Sequence, residues 1–319
     1  MNQKLHWLKQ KLQRRLKQKQ KVQERSGSSR GFGSRPMNKQ QFFGHPESPL
    51  FGVSHSPRGS RAPSAIRAAV ICPPIGQEYN RTHWTLRLLA NQIARNGVHV
   101  MRMDFHGIGD SAQSVDQIQD LESWRRNIEQ AIDHTKQETG AETVLLIGLR
   151  FGATLAAQVA ARRPDVNGVV LWEPITKGKQ YIDSLREMHA MMLDFWVCKM
   201  STPNDDSIEE ILGSQYHRTL LNEIESVVQN LDNVLQPQLI ADLSAKADQL
   251  SHPLDGNQFV IEDSRPETWY DLNELESAWL RPITLREISK KIHDMFDRLE
   301  RFDALKAFTP TSKSMEASQ

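Results

Sequence analysis

Cysteine is almost missing from this chain: 319 residues carry two, Cys72 and Cys198. That scarcity argues against a disulfide-stapled fold and against a cysteine-rich metal site, and it fits a reducing compartment such as the cytoplasm. The 11 histidines form no HExxH and no pair at ligand spacing, and there is no CxxC, so the sequence implies no metal and no cofactor. No apolar run reaches the roughly 18 residues that a membrane span requires. What is present is a hydrophobic content of 38%, enough for a sizeable buried core in one large domain or two small ones.

The net charge of +1 conceals an asymmetry. Residues 1–36 hold eleven Lys/Arg and one acid, Glu24, a charge of +10, which leaves −9 on residues 37–319. The chain is an acidic body with a basic arm, the arm taken as residues 1–41. Leu5, Leu8, Leu12 and Leu16 recur at helical spacing, a narrow apolar stripe on a basic helix. Charges interrupt every apolar core segment in the arm, so it does not read as a secretory signal. Ser26–Pro36 is rich in Gly, Ser and Arg, the composition of a disordered segment. The arm reads as a solvated tail, as a contact through residues 1–36 for an anionic surface (membrane or nucleic acid), or as a contact for the acidic body. The expected location is cytoplasmic, with peripheral membrane association among these options.

The body, expected over residues 42–303, opens with a short hairpin from Phe43-Gly44 and Leu50–Ser54 and a turn-rich linker, Arg58–Ser64. Strands and helices then alternate. Ile66–Cys72, Val98–Met103, Thr143–Ile147 and Val166–Trp172 read as strands. Thr82–Arg95, Leu121–Glu138 and Phe151–Arg163 read as helices, ended at Asn96-Gly97, Gly140 and Pro164. This order predicts an α/β fold, a mostly parallel sheet covered by helices on both faces. From Lys177 to about Val234 the reading is helical throughout, with Tyr181–Met200 and Ile208–Leu231 as the main blocks. That predicts a helical lid insertion over about 176–235. Gln238–Leu243, Ala245–Leu250 and Gln258–Ile261 resume the alternation, Leu285–Phe302 closes it, and 304–319 reads as a disordered tail.

Chemistry in such a sheet gathers in the loops at the carboxyl ends of the strands. One loop is Cys72-Pro73-Pro74-Ile75-Gly76-Gln77-Glu78, where Gly76 permits close backbone approach to a ligand. A second, Asp104-Phe105-His106-Gly107-Ile108-Gly109-Asp110-Ser111, reads as structural: glycines for a tight turn, with Asp104, Asp110 and Ser111 available to brace it. No helix opens after these glycines, so a dinucleotide-binding reading fails. The third is Gly148-Leu149-Arg150-Phe151-Gly152, between an apolar strand and a small-residue helix.

Strand, Gly-x-residue-x-Gly, helix is the pattern of the nucleophile elbow, and here the chain resembles the α/β-hydrolases. More narrowly it resembles the exosortase-associated hydrolases and the serine-aminopeptidase-like group. That likeness rests on Leu50–Val53, Ile71–Pro74 with Gln77-Glu78, Arg102–Asp104 leading into Gly107–Ser111, Gly148–Ala153, and Leu171-Trp172-Glu173-Pro174 with Gly178. It covers roughly Phe42 to Phe302. The resemblance implies an α/β-hydrolase fold and ester, thioester or amide hydrolysis. It also implies an oxyanion and pocket lining from Gly76, Gln77, Glu78, Phe151, Trp172 and Glu173.

The triad of that family does not carry over. The nucleophile position holds Arg150, which stays protonated and has no lone pair for attack. Asp242 is the candidate acid. The stretch after the last expected strand, Glu262–Trp269, contains no histidine; His252 precedes that strand and His293 lies in the closing helix. Cys72, Ser111 and Thr154 are near the site in sequence but lack an evident base. The serine chemistry therefore reads as degenerate. Two roles remain open for Arg150. It is either an anion site for a small anionic ligand, helped by the helix amino terminus, or an internal partner for Glu78, Glu173, Asp242 or Asp263.

Overall fold

Central strands of a parallel sheet are buried on both faces and should be continuously apolar. Ala68–Cys72 (β3) and Val144–Leu149 (β5) meet that requirement: every residue of both is buried. The computed structural model describes residues 38–57, 66–195, 205–231, 238–241, 269 and 282–308. Within them a seven-stranded sheet runs in the order β1-β2-β4-β3-β5-β6-β9. The outer strands are β1 (Asn38–His45), β2 (Ser48–His55), β4 (His99–Met103), β6 (Val166–Trp172) and β9 (Gln238–Ala241). β1 and β2 are antiparallel, as are β2 and β4; the remaining pairs are parallel. β1 corrects the arm boundary, since residues 38–41 belong to the sheet.

The helices are α1 (Gly76–Arg95), α2 (Leu121–Thr139), α3 (Phe151–Ala160), α4 (Gly178–Phe195), α5 (Arg218–Ser226) and α6 (Pro282–Phe308). Local chemistry sets their ends. Asp120 caps α2 by accepting a bond from the Ser123 amide at 2.7 Å, and Gly140 stops it in the left-handed conformation. α1 begins six residues earlier than the Thr82 start expected from apolar spacing, so Glu78 lies inside its first turn. α6 continues to Phe308, into the stretch expected as a tail. Ala245–Leu250 and Gln258–Ile261 lie outside the described residues.

The segment between β6 and β9 is not the all-helical block expected. After α4 come two antiparallel strands, β7 (Ile208–Ile211) and β8 (Ser214–His217), and then α5. Leu212 and Gly213, both at positive φ, make the two-residue hairpin turn. Ile208 and Ile211, three residues apart, had mimicked helical spacing. The two ends of the segment are tied together: Gly178 N–H donates to Val227 O at 2.8 Å and Gln229 N–H to Thr176 O at 2.9 Å. Arg186 of α4 joins the hairpin at Glu209 and α5 at Glu225, each at 2.6 Å. Glu223 of α5 accepts from the Leu121 amide at 2.7 Å, so α5 supplies a carboxylate to the amino terminus of α2.

Candidate functional site

Sheet register brings the three loops together. Cys72 pairs with Gly148, and Leu149 with Trp172, so the ends of β3, β5 and β6 are adjacent. Between β5 and α3, Arg150 turns the chain at φ 54°, ψ −124°. A non-glycine residue pays about 1–3 kcal/mol for such a conformation. The turn is held from both sides: the Arg150 amide donates to Trp172 O at 2.8 Å, and its carbonyl accepts from Ala153 N at 3.0 Å. The flanking glycines are required by proximity. A Cβ on Gly148 would meet Ala153 Cα at 2.3 Å, and one on Gly152 would meet Pro73 O at 2.2 Å.

The Arg150 side chain is 3% exposed and Glu78 1% exposed; Nε donates to Glu78 Oε1 at 3.1 Å. Tyr181 of α4 donates its hydroxyl to the other carboxylate oxygen at 3.2 Å. The guanidinium carbon lies 4.8 Å from the Trp269 ring centroid and 5.7 Å from that of Tyr181. Phe151 stacks on Tyr181, ring centroids 6.0 Å apart. A cation at a helix amino terminus opposes the helix dipole, and Glu78 supplies the compensating charge. Burial pushes the Glu78 carboxyl above its ordinary range, while Arg150 and the Tyr181 hydroxyl pull it down. Burial, with Glu78 beside it, raises the Tyr181 phenol well above its usual value.

Gly76 does admit a close approach, but from within the chain: a Cβ there would sit 2.3 Å from the hydroxyl of Tyr216 on β8. Gln77 faces Asn80 on the same turn of α1, accepting at 3.2 Å. Phe151 and Trp172 are fully buried core residues, and the Trp172 indole N–H has no hydrogen-bond partner among the described residues. Glu173 is buried at φ +48°. In the second loop, Asp104 accepts from Tyr79 at 2.8 Å and from the Asp110 amide at 3.1 Å. Ser111 donates to Asp104 O at 2.7 Å and accepts from the Phe51 amide at 2.8 Å. Gly107 N–H donates to Ala112 O at 3.0 Å, and a Cβ on Gly109 would collide with the Asp104 carboxylate. These bonds fasten the loop to β2.

The other candidate nucleophiles are engaged or suppressed. Thr154 donates to Ile175 O at 2.7 Å from a fully buried position. Cys72 is fully buried, and desolvation pushes its thiol far above the range in which a thiolate forms. His293 sits 3.3 Å from Arg67, which precedes β3 at the opposite edge of the sheet from Arg150. Asp242, His252 and Asp263 lie outside the described residues. The residues that sequence reasoning missed are Tyr181, Tyr216 and Trp269. The hairpin turn at Leu212-Gly213 was the signal for Tyr216; nothing local marked the other two.

Residues 70–223 match the family described as serine aminopeptidase, S33. Many solved structures share the fold, two esterases among them. Est1E from Butyrivibrio proteoclasticus, with ferulic acid bound, is 14% identical at a TM-score of 0.52, covering 82% of this chain and 99% of that one. The Pyrococcus furiosus esterase Pf2001 is 11% identical at a TM-score of 0.56, covering 85% and 96%. No curated protein matches the chain in sequence.

Proposed function

We propose that this α/β-hydrolase-fold protein, of ester, thioester or amide hydrolase ancestry, has lost serine-hydrolase chemistry and works by binding. The observation that carries the reading is the elbow side chain itself: Arg150 is 3% exposed and spends its charge on Glu78. Nucleophilic catalysis needs an attacking lone pair within hydrogen-bond reach of a base. Arg150 offers donors only, and Glu262–Trp269, where the base would follow the last strand, has no histidine. The ion pair turns the former reaction centre into a brace between the elbow, α1 and α4.

An open anion site at Arg150 is the weaker reading. It requires a reachable guanidinium, and this one is enclosed by Glu78, Tyr181 and Trp269. An active enzyme with another nucleophile is also weaker, because Cys72, Ser111 and Thr154 are each buried or committed to backbone groups.

The test is treatment of the full chain with a fluorophosphonate probe, with p-nitrophenyl ester turnover measured in parallel. The expected result is no labelling and no turnover above buffer. Labelling or turnover that disappears on substitution of one serine or cysteine would overturn the proposal.

A further inference from the structure

Although the body carries −9 overall, one of its faces is basic. α1 packs beside α6 on the same side of the sheet. α1 has one acid, Glu78, which is buried beneath Arg150. Its outer surface presents Arg87 and Arg95, and the outer surface of α6 presents Arg286, Lys290 and Arg301; all five are exposed. None of the five has an ion-pair partner among the described residues. Over residues 284–301 of α6 the exposed acids are Glu287 and Asp297, the side chain of the latter 40% exposed in its bridge to Arg67. Asp294 is half-buried, and Asp297 and Glu300 each hold Arg67 at 2.6 Å, so two of the helix's acids are already matched by a cation.

On the same face two large apolar side chains stand in solvent one helical turn apart, Trp84 at 45% exposure and Leu88 at 37%. The Arg87 guanidinium lies 5.1 Å from the Trp84 ring centroid. Trp84 and Leu88 together make a small apolar patch rimmed by cations. An indole with an arginine on its face suits the headgroup level of a bilayer, where the ring meets acyl chains and the cation meets phosphate. Nucleic acid would use the cations but gives Leu88 nothing to bury against.

We propose that the α1–α6 face is a docking surface for an anionic lipid membrane, with Trp84 and Leu88 entering the interface and Arg87, Lys290 and their neighbours contacting lipid phosphates. The basic arm has the same chemistry in its sequence, +10 over residues 1–36 with a leucine stripe. The face adds a second, folded signal, and stable peripheral binding generally needs two. This surface is independent of whether the elbow is catalytic.

The test is co-sedimentation of the full chain with phosphatidylcholine vesicles, with and without phosphatidylglycerol. Three proteins are compared: the unaltered chain, Arg87→Glu with Lys290→Glu, and Trp84→Ser with Leu88→Ser. All four positions are exposed, so an unchanged thermal unfolding midpoint is expected and checks the fold. Each cation near an anionic surface is worth about fivefold in binding. The charge-reversed chain should therefore lose about 20-fold or more on phosphatidylglycerol vesicles. The Trp84/Leu88 pair should lose about fivefold or more there, with little binding of any chain to phosphatidylcholine alone. Vesicle binding that both variants leave unchanged would overturn the proposal. So would retention on duplex DNA that falls with charge reversal while vesicle binding does not, or vesicle binding indifferent to Trp84 and Leu88.

Discussion

At the carboxyl edge of the sheet Arg150 and Glu78 are 3% and 1% exposed; at the opposite edge Arg67 is 12% exposed, with partners Asp297 and Glu300 at 40% and 28%. Both sites are arginine–carboxylate clusters, and both join a strand to a helix. They differ in what failure costs. Water can replace either partner at the Arg67 end. At the elbow no solvent stands ready, and removing one partner strands a charge in the interior. The difference teaches that Arg150 is held by its surroundings, which leave its side chain 3% exposed.

The comparison breaks most directly at Glu78. Glu78→Ala should lose about 3–5 kcal/mol of unfolding free energy in urea denaturation, because Arg150 cannot discharge. A loss under about 1 kcal/mol would mean that Arg150 has found another outlet. Arg150→Met combined with Glu78→Leu should restore most of the stability, since a well-packed apolar replacement of a buried ion pair is often neutral.

Arg150→Met alone sharpens the point through pH. Burial already raises the Glu78 carboxyl, and removing the cation raises it further. The folded state then holds a proton that the unfolded chain has released. Stability of this variant should fall as pH rises from the ordinary glutamate range through the raised folded value, and recover on acidification. A flat profile from pH-dependent urea denaturation would contradict the account.

His55 offers a smaller effect of opposite sign. It is buried, accepts from Arg102 at 3.1 Å and faces Asn91 at 3.1 Å, and its pKa is lowered from 6.5 to about 4, chiefly by burial. The unfolded chain takes up the proton first. This contribution is therefore intact above about pH 6.5 and is lost as pH falls toward 4, up to about 3 kcal/mol. His55→Gln should flatten that part of the profile. The smallest change belongs to Lys39→Ala at the exposed pair with Glu138, 3.0 Å apart, where about 0.5 kcal/mol or less is expected and added salt should shrink it. A Lys39 effect as large as that of Glu78 would erase the distinction between the two edges.

Much of this was legible in the order of residues. β6 begins and ends where apolar patterning placed it, at Val166 and Trp172. Gly140 stops α2, and Gly148 and Gly152 frame the turn. Each is a local demand on the backbone that a single residue type answers. The β7–β8 hairpin was not legible, because Ile208 and Ile211 satisfy either a helical stripe or the two ends of a short strand. The early start of α1 was hidden by its opening residues, Gly76-Gln77-Glu78, which lack apolar periodicity.

The sequence alone determined that an arginine occupies an α/β-hydrolase elbow and that Glu262–Trp269, directly after the last expected strand, holds no histidine. Both are statements about which atoms exist, and no folding can add a lone pair to a guanidinium. Which carboxylate answers Arg150 was a matter for tertiary structure. Glu78 precedes Arg150 by 72 residues along the chain, and Tyr181 follows Glu78 by 103. They meet because parallel register aligns Cys72 with Gly148 and because α4 folds back over that edge. Ion-pair partners are chosen by proximity and burial, and both are properties of the packed chain.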